Sequence, residues 1–474
     1  MKIRIYLFAV LLVAAVGFAK TPEELAVENE QLRARVEKLE NDIAEIKKML
    51  MAQPQASAAA APAPQDTAVP SSPVVSAVGD TAQPNSSSPQ LDDQTVEKLL
   101  ALAEKEEEPK KSLISNTDVK VYGFMRFDMA YDNSSVKSFF DGAGNGWALP
   151  EGTKSDDDSF EATARVTRFG IKAQSKGEEG LVVSGVIEAD FCGDGTSSSA
   201  EPRLRHGYVK LDWPDDGFSI LGGQTWDVVS PLYPNMVDAA VGWFSGNIGF
   251  RRPQLRATKI FDLDGESNVE FAAAISRPAD SSTYPTAIDS GTDSGVPNFQ
   301  GRVALTTPML FERKATIGLS SHYGREEIDY NAGGSDDFKS HSLNLDFTQP
   351  ITDMLSFKGE LYEGRNLDSY LGGIGQGVNA ATFEEIDSVG GWGGLSLTPF
   401  KKWIFNAGLA VEDVDAQDVN DAAREYNQTM FANCIYNIDT NVSTGLELQH
   451  NRTEYKDSDN GNNTRAQMML MYSF

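Results

Sequence analysis

The last eleven residues most strongly limit what this 474-residue chain can fold into. Apolar residues occupy every second position there, and Arg465, Gln467 and Ser473 lie between them. Successive side chains of a strand point to opposite faces, so the pattern predicts a strand with an apolar environment on one side and water on the other. A soluble β-domain that ends on such a strand is the alternative. The apolar face carries Ala466, Met468, Leu470, Tyr472 and Phe474.

The first nineteen residues predict a secretory signal peptide. Lys2 and Arg4 precede an apolar run at 6–16, and small residues at 17 and 19 form a cleavage site. Beyond residue 19 there is no run of eighteen apolar residues, so we expect no transmembrane helix. A chain without such a helix can span a membrane only as a closed barrel, because each backbone polar group needs a partner inside the bilayer.

Residues 20–51 repeat apolar positions every seven residues, which is typical of a coiled coil. Facing e and g positions on neighbouring parallel helices carry opposite charges, so we predict a parallel homo-oligomer. The core positions leave the number of chains open and allow a trimer. The alternative is one amphipathic helix that lies on its own protein. The predicted core positions are Leu25, Asn29, Leu32, Val36, Leu39, Ile43 and Ile46.

Residues 52–117 are rich in Ala, Pro and Ser and predict a linker that contains one short acidic helix near 94–107. From residue 118 to 474 the chain predicts an all-β transmembrane barrel of sixteen antiparallel strands. The expected strands are 119–131, 161–173, 181–191, 203–212, 218–226, 252–262, 268–277, 298–306, 315–325, 338–349, 354–364, 385–398, 403–412, 425–437, 441–453 and 464–474.

The lengths of the connections favour the barrel over a sandwich. Tight turns such as 177–180, 214–217 and 263–266 alternate with long polar loops such as 132–160 and 278–297. Short turns at one end and long loops at the other are typical of outer-membrane barrels. An even number of strands returns both ends of the barrel to the periplasmic side, where the coiled coil is expected.

Charged residues on the strands predict the wet face, because a charge on the lipid face would cost about 2–4 kcal/mol near the midplane. Such charges set the selectivity of wide pores, although any one of them can instead pair with a neighbour and brace the wall. The predicted pore-lining residues are Arg126, Asp128, Arg168, Glu188, Asp190, Arg203, Arg205, Arg252, Arg256, Arg302 and Glu360.

The connection at 227–244 is too apolar to extend into water. We expect it to fold inward as a constriction or sideways against a neighbouring subunit. In the inward case Asp227 and Asp238 would lie across the pore from Arg203, Arg205 and Arg256 and create a transverse field. The candidate constriction residues are Asp227, Tyr233, Asp238 and Trp243.

Other classes of function find little support. The net charge of −28 argues against nucleic acid as a partner. The four histidines fall in different strands, no nucleophile elbow or phosphate loop occurs, and we expect no enzyme activity, metal or cofactor. Cys192 and Cys434 are expected to be unpaired thiols.

Short motifs resemble the DcaP-like porins. They are Leu-Arg-His-Gly-Tyr-Val at 204–209, Leu-Gly-Gly-Gln-Thr-Trp at 221–226, Gly-Glu-Leu-Tyr-Glu-Gly-Arg-Asn-Leu at 359–367 and Tyr-Leu-Gly-Gly at 370–373. The resemblance implies a trimeric sixteen-stranded outer-membrane channel with an N-terminal coiled coil in the periplasm. It also implies passive uptake of small polar solutes, often with carboxylates.

The C-terminal pattern, with Tyr472 and Phe474, similarly resembles the signal that outer-membrane barrels present to their assembly machinery. Outer-membrane lipid and that machinery are therefore expected partners. The alternative function is structural: a barrel that anchors a periplasmic coiled coil, which in turn contacts the cell wall.

Overall fold

The computed structural model describes the β-rich part of the chain. The predicted signal peptide, coiled coil, linker and acidic helix all lie outside the described residues. Among these residues, none of the helices has the length and the apolar character that a transmembrane helix needs. The described residues are 117–152, 157–193, 195–196, 199–278, 294–329 and 333–474.

Sixteen antiparallel strands, β1 to β16 in chain order, form one sheet in the described residues when the two segments of β2 are counted together. The predicted strands are therefore all present, with bounds that differ by a few residues. The bounds are Thr117–Asp132, Ser159–Thr163 with Arg168–Lys176, Val182–Asp190, Arg203–Trp213, Phe218–Trp226, Arg251–Asp262, Asn268–Ser276, Asn298–Pro308, Lys314–Asp329, Ser335–Pro350, Leu355–Arg365, Asp387–Phe400, Trp403–Val414, Arg424–Asn437, Val442–Tyr455 and Gly461–Ser473.

The first and last strands pair and close the sheet into a barrel. Phe124 lies opposite Ser473, and the antiparallel register continues to the pair of Asp132 and Arg465. Each strand in between pairs with its sequence neighbours. Closure removes the unpaired edges that an open sheet would present, so every strand can satisfy its backbone groups within the wall.

Most turns segregate by length, as the sequence predicts, although two connections at the end with the long loops, 330–334 and 456–460, are only five residues long. Both ends of the sheet, near Thr117 and Phe474, lie at the end with the short turns. At one of these turns, Asp264 accepts hydrogen bonds from the backbone of Ser267 and Glu266, which holds the pKa of its carboxyl below the usual range. The short turns are 177–181, 214–217, 263–267, 309–313, 351–354, 401–402 and 438–441.

The second strand differs from the sequence prediction because a turn interrupts it. The backbone N–H of Thr167 bonds to the carbonyl of Ala164 at 3.0 Å. Arg165, within this turn, donates to the carbonyl of Phe191 at 2.9 Å and to Asp141 at 3.0 Å. The predicted strand 161–173 is thus two segments, since these contacts with two loops outweigh the continuous ladder.

The two faces of the wall separate as alternation predicts. On β15, Leu446 and Leu448 are each 63% exposed, whereas Glu447 between them is 2% exposed. On β16, Leu470 and Tyr472 are exposed on the outer face and Arg465 is buried on the inner face. The outer surface is therefore apolar and the interior is polar and charged, which is the arrangement that a bilayer requires.

Three further short hairpins lie in the long connections. The largest pairs Val136–Phe139 with Gly144–Ala148 in the connection between β1 and β2. The others pair Gly195–Thr196 with Ser199–Ala200 and Val378–Asn379 with Glu384–Glu385. The first hairpin packs Phe139 and Trp147 against Phe244 of the connection between β5 and β6. The last packs Val378 against Ile328 and Phe338.

Candidate functional site

The connection between β5 and β6, residues 227–250, folds into the barrel; we call it the constriction loop. Its ends meet where the N–H of Asp227 bonds to the carbonyl of Phe250 at 2.8 Å. From there its backbone follows the inner wall. The N–H of Val228 bonds to Gln300 on β8 at 2.7 Å, and that of Leu232 bonds to Glu360 on β11 at 2.7 Å. The loop thus takes the inward course of the two that the sequence allows.

Glu447 on β15 holds the far end of the constriction loop. Its carboxylate accepts hydrogen bonds from the N–H groups of Val237 at 2.8 Å and Asp238 at 2.9 Å. The side chains of Asn433 and Gln449 also donate to it, at 2.8 and 2.7 Å. A fully hydrogen-bonded buried carboxylate of this kind fixes the backbone it binds.

Glu360 also holds the backbone of the constriction loop. It was predicted to line the water-filled pore, and the structure places it elsewhere. It accepts from Leu232 of the loop and from the indole N–H of Trp392 at 3.1 Å, and it is buried beneath the loop. The correction has a plain cause. An inward carboxylate satisfies loop N–H groups that would otherwise be buried without a partner.

Asp227 and Asp238 do not face open water opposite the arginines, which corrects the expected transverse field. Asp227 pairs with Arg252 at 2.9 Å and accepts from Gln300 at 2.7 Å. Asp238 is 2% exposed and accepts from the N–H groups of Asn145 at 3.0 Å and Ala240 at 2.7 Å. Burial raises the pKa of the Asp238 carboxyl. Both acids hold loops in place.

The wall formed by β2, β3 and β4 brings five of the predicted charged residues together. Arg205 pairs with Glu188 and with Asp190, each at 2.8 Å. Arg203 pairs with Asp190 at 2.9 Å, and Arg168 lies 3.4 Å from Glu188. The side chains of Arg168 and Arg203 remain 26% and 24% exposed. The charges are therefore paired, yet two of the arginine side chains remain partly exposed.

Arg251, at the start of β6, was not among the predicted residues and joins this group. Arg251 is 5% exposed, and none of its three guanidinium nitrogens has a hydrogen-bond partner among the residues that the structure describes. The guanidinium lies 4.5 Å from the ring centres of both Trp226 and Phe250. It is within electrostatic reach of the other three arginines. We call Arg168, Arg203, Arg205 and Arg251 the arginine cluster.

The sequence offered one signal for Arg251, which is its position next to Arg252. Adjacent residues of a regular strand face opposite sides, so only one of two neighbouring arginines is expected to face inward. Both are buried here, because the constriction loop turns back over the start of β6 and covers Arg251 with Phe250. Only the course of the loop reveals this environment.

The remaining predicted arginines lie on other parts of the wall. Arg126 and Asp128 pair with each other on β1 at 2.7 Å, and Arg126 also donates to the carbonyl of Val237. Arg302 on β8 pairs with Asp346 at 2.7 Å and with Glu270 at 3.1 Å. Paired charges therefore occur on several parts of the inner wall of the barrel.

Arg256 differs from those residues because the hydrogen bonds of its guanidinium go to neutral groups. It donates to the side chain of Gln254 at 2.9 Å and to the carbonyl of Trp226. Among the ion pairs of the described ranges, none includes Arg256 or Arg251. Arg251 and Arg256 are therefore two guanidiniums of this side of the wall that have no carboxylate in direct contact among the described residues.

Two aromatic residues of the constriction loop complete the site. Tyr233 is 49% exposed and lies over Trp226, with ring centres 6.3 Å apart. Trp243 is buried and contacts Trp226 and Phe250, at ring-centre distances of 6.5 and 5.5 Å. Of the four predicted constriction residues, Tyr233 is thus the one that stays exposed, whereas Trp243 packs behind it.

Metal-binding and thiol chemistry can be assessed for the described part of the chain. No group of three or more His, Cys, Asp or Glu side chains there is arranged to hold a metal ion. Cys192 and Cys434 are both free, as the sequence predicts. Burial raises the pKa of the Cys192 thiol to about 11, so it is protonated at neutral pH.

Comparison with known proteins agrees with this geometry. Residues 90–271 match the model of a family described as the DcaP outer membrane protein. The predicted resemblance to the DcaP family is confirmed. No curated protein sequence matches the chain.

Two solved structures share the fold. The outer membrane channel DcaP of Acinetobacter baumannii is 20% identical at a TM-score of 0.60, over 76% of this chain and 98% of that one. An anion-selective porin from Comamonas acidovorans is 14% identical at a TM-score of 0.51, over 76% of this chain and 100% of that one. The chain is thus a porin-like β-barrel, and the family match supports its location in the outer membrane.

Proposed function

We propose that this barrel is a water-filled channel for the diffusion of small polar solutes. One observation carries the proposal. The constriction loop is bonded to the wall of β8, β11 and β15, whereas the side chains of Arg168 and Arg203 on the opposite side remain partly exposed. A loop bonded along one side narrows a lumen without filling it. The narrowest water path would then run between the exposed Tyr233 and the arginine cluster.

The charge balance at this point favours anions. The cluster has four guanidiniums, and the carboxylates that pair with it are Glu188 and Asp190. Two positive charges are left over in the cluster. Guanidiniums remain charged at any working pH and bind carboxylates in a bidentate manner, so we propose small carboxylates as preferred solutes. One neighbour in fold is itself described as an anion-selective porin.

We also propose that the chain forms a homotrimer, with residues 20–51 as a periplasmic coiled coil, and that it performs no catalysis. The support is the heptad pattern of those residues and their complementary charges. A trimer would place three pores side by side in one membrane unit. The alternative function, a barrel that only anchors the coil, requires no passage of solute.

A liposome-swelling assay tests the channel. Full-length protein is reconstituted into liposomes, which are then transferred to isosmotic solutions of neutral sugars of increasing size. We expect fast swelling with a monosaccharide and progressively slower swelling with larger oligosaccharides, because the constriction filters by size. Liposomes without protein give the baseline. Swelling at the baseline rate with every sugar, from protein that is folded, would support the anchor instead.

A further inference from the structure

We propose that a second loop, residues 366–386 between β11 and β12, sets the width of the constriction, with Tyr370 as the positioning residue. The proposal rests on the channel function above. It adds that the constriction loop is not held by the barrel wall alone. The second loop enters from the opposite side of the barrel mouth. It contacts the neck of the constriction loop, by which we mean the place where the two ends of that loop, at Asp227 and Phe250, meet.

Tyr370 is fully buried in the short turn Asp368–Tyr370, and both its backbone and its hydroxyl form hydrogen bonds. Its carbonyl accepts a hydrogen bond from the N–H of Gly249, near the end of the constriction loop, at 2.8 Å. Its hydroxyl accepts hydrogen bonds from the side chains of Asn298 and Gln300 on β8, at 3.3 and 3.2 Å. Tyr370 therefore joins the second loop, the constriction loop and the wall.

The ring of Tyr370 contacts residues at the other end of the neck, where the constriction loop begins. The ring stacks on His322 with centres 3.9 Å apart, and the guanidinium of Arg252 lies 3.9 Å from its centre. Arg252 is the ion-pair partner of Asp227, the first residue of the constriction loop. It also donates to the carbonyl of Ser369 at 3.0 Å. Both ends of the neck thus meet at this tyrosine.

A third set of contacts lies further along the constriction loop. The N–H of Phe244 bonds to the carbonyl of Leu371 at 3.0 Å. Ile248 packs in one buried cluster with Leu367 and Tyr370. The returning limb of the constriction loop is therefore bonded and packed against the second loop over several residues. The outgoing limb reaches the same cluster through Val229, but its backbone bonds go to wall residues such as Glu360. The two limbs have different supports.

The consequence is a specific effect of Tyr370 on pore width. Loss of the ring should free the returning limb and the aromatic group around Phe244, while Glu447 and Glu360 still hold the outgoing limb. The loop would then fluctuate rather than detach. Loss of the hydroxyl alone removes the acceptor of the two bonds from Asn298 and Gln300. A net loss equal to that of a typical single hydrogen bond corresponds to roughly two- to tenfold more time in the loosened state.

The test is single-channel recording of Tyr370→Leu and Tyr370→Phe in planar bilayers. We expect larger mean conductance and higher open-channel noise for Tyr370→Leu, and a smaller increase in noise for Tyr370→Phe. The matched controls are Tyr323→Leu and Tyr323→Phe, since Tyr323 is exposed on the outer face of β9 and does not contact either loop. Folding of each variant is checked by its heat-modifiable mobility in gels.

Unchanged conductance and noise in a folded Tyr370→Leu variant would overturn the inference, because wall contacts alone would then suffice. If that variant does not fold, Tyr370→Phe decides: noise equal to that of the wild type overturns the proposal, and increased noise supports it. A wild-type protein with no conductance is a different outcome. It would refute the channel itself rather than the role of the second loop.

Discussion

At the scale of the residue, the burial of the Arg251 guanidinium needs a physical explanation. A buried guanidinium without a carboxylate or hydrogen-bond acceptor is costly, since it loses hydration. Trp226 and Phe250 offset part of this cost, because a cation over an aromatic face gains about 0.5–2 kcal/mol. Such an arrangement keeps a positive charge beside the lumen in a region of low dielectric constant, where its field extends further than it would in water.

We therefore expect Arg251→Met to reduce anion preference without breaking an ion pair. The measurement is the reversal potential across a planar bilayer under a salt gradient. Loss of one of the two excess positive charges should move this potential toward the cation-selective direction. Methionine retains most of the side-chain volume between Trp226 and Phe250, so the barrel should stay folded.

The matched control is the double variant Arg205→Met with Glu188→Gln, which removes one charge of each sign. It should leave the reversal potential close to that of the wild type, although it alters the same wall. A reversal potential that responds to the double variant and not to Arg251→Met would contradict the charge balance proposed here.

The sequence predicted inward charges well where strand alternation alone decides them. Arg126, Asp128 and Arg302 are inward because an outward charge would face lipid, and this argument needs only local spacing. The surroundings of Asp238 could not be predicted in this way. The carboxylate of Glu447, which accepts a hydrogen bond from the N–H of Asp238, is 209 positions away in the chain, and only the folded course of the constriction loop brings the two together.

At the scale of the strand, the outer face must be apolar, whereas the inner face carries polar and charged side chains. On β15 the outer position Leu448 lies midway along Val442–Tyr455 and is strongly exposed, whereas the inner position Glu447 is buried. Strand existence was predictable because each strand repeats this alternation. The break in β2 was not predictable, since it depends on contacts of Arg165 with two distant loops.

We expect Leu448→Lys to destabilise the barrel by about 2–4 kcal/mol, because it moves a charge to the midplane of the lipid face. The control is Asn462→Lys, which is an outward position near the loop end of β16 and should cost about 0–1 kcal/mol. Urea unfolding in lipid vesicles measures both values. Equal costs at the two positions would contradict the assignment of the outer face.

Assembly belongs to the scale of the whole molecule. The apolar outer wall can contact lipid or another subunit, and the heptads at 20–51 supply a separate reason to associate. We expect native mass measurements in mild detergent to give a trimer for the full chain. Deletion of residues 20–51 should shift the population toward smaller species without loss of the folded barrel. A wild-type chain that is entirely monomeric would refute the proposed assembly.

The whole barrel was more predictable than its interior. Sixteen strands, their pairing in sequence order and the segregation of turns follow from local patterns that repeat along the chain. The site depends on three loops that meet inside the mouth, where Phe244 of the constriction loop stacks on Phe139 of the first hairpin at 5.3 Å. Such contacts join residues that no periodic pattern connects.

The most direct test of the central claim is the conductance of the full-length protein in planar bilayers. A water-filled pore should give stepwise insertions, each followed by a stable current that is proportional to voltage at low voltage. Steps grouped in threes would also match a trimer. Protein that is folded and inserted, yet gives no steps or only rare small ones, would contradict the account and leave a closed barrel that serves as an anchor.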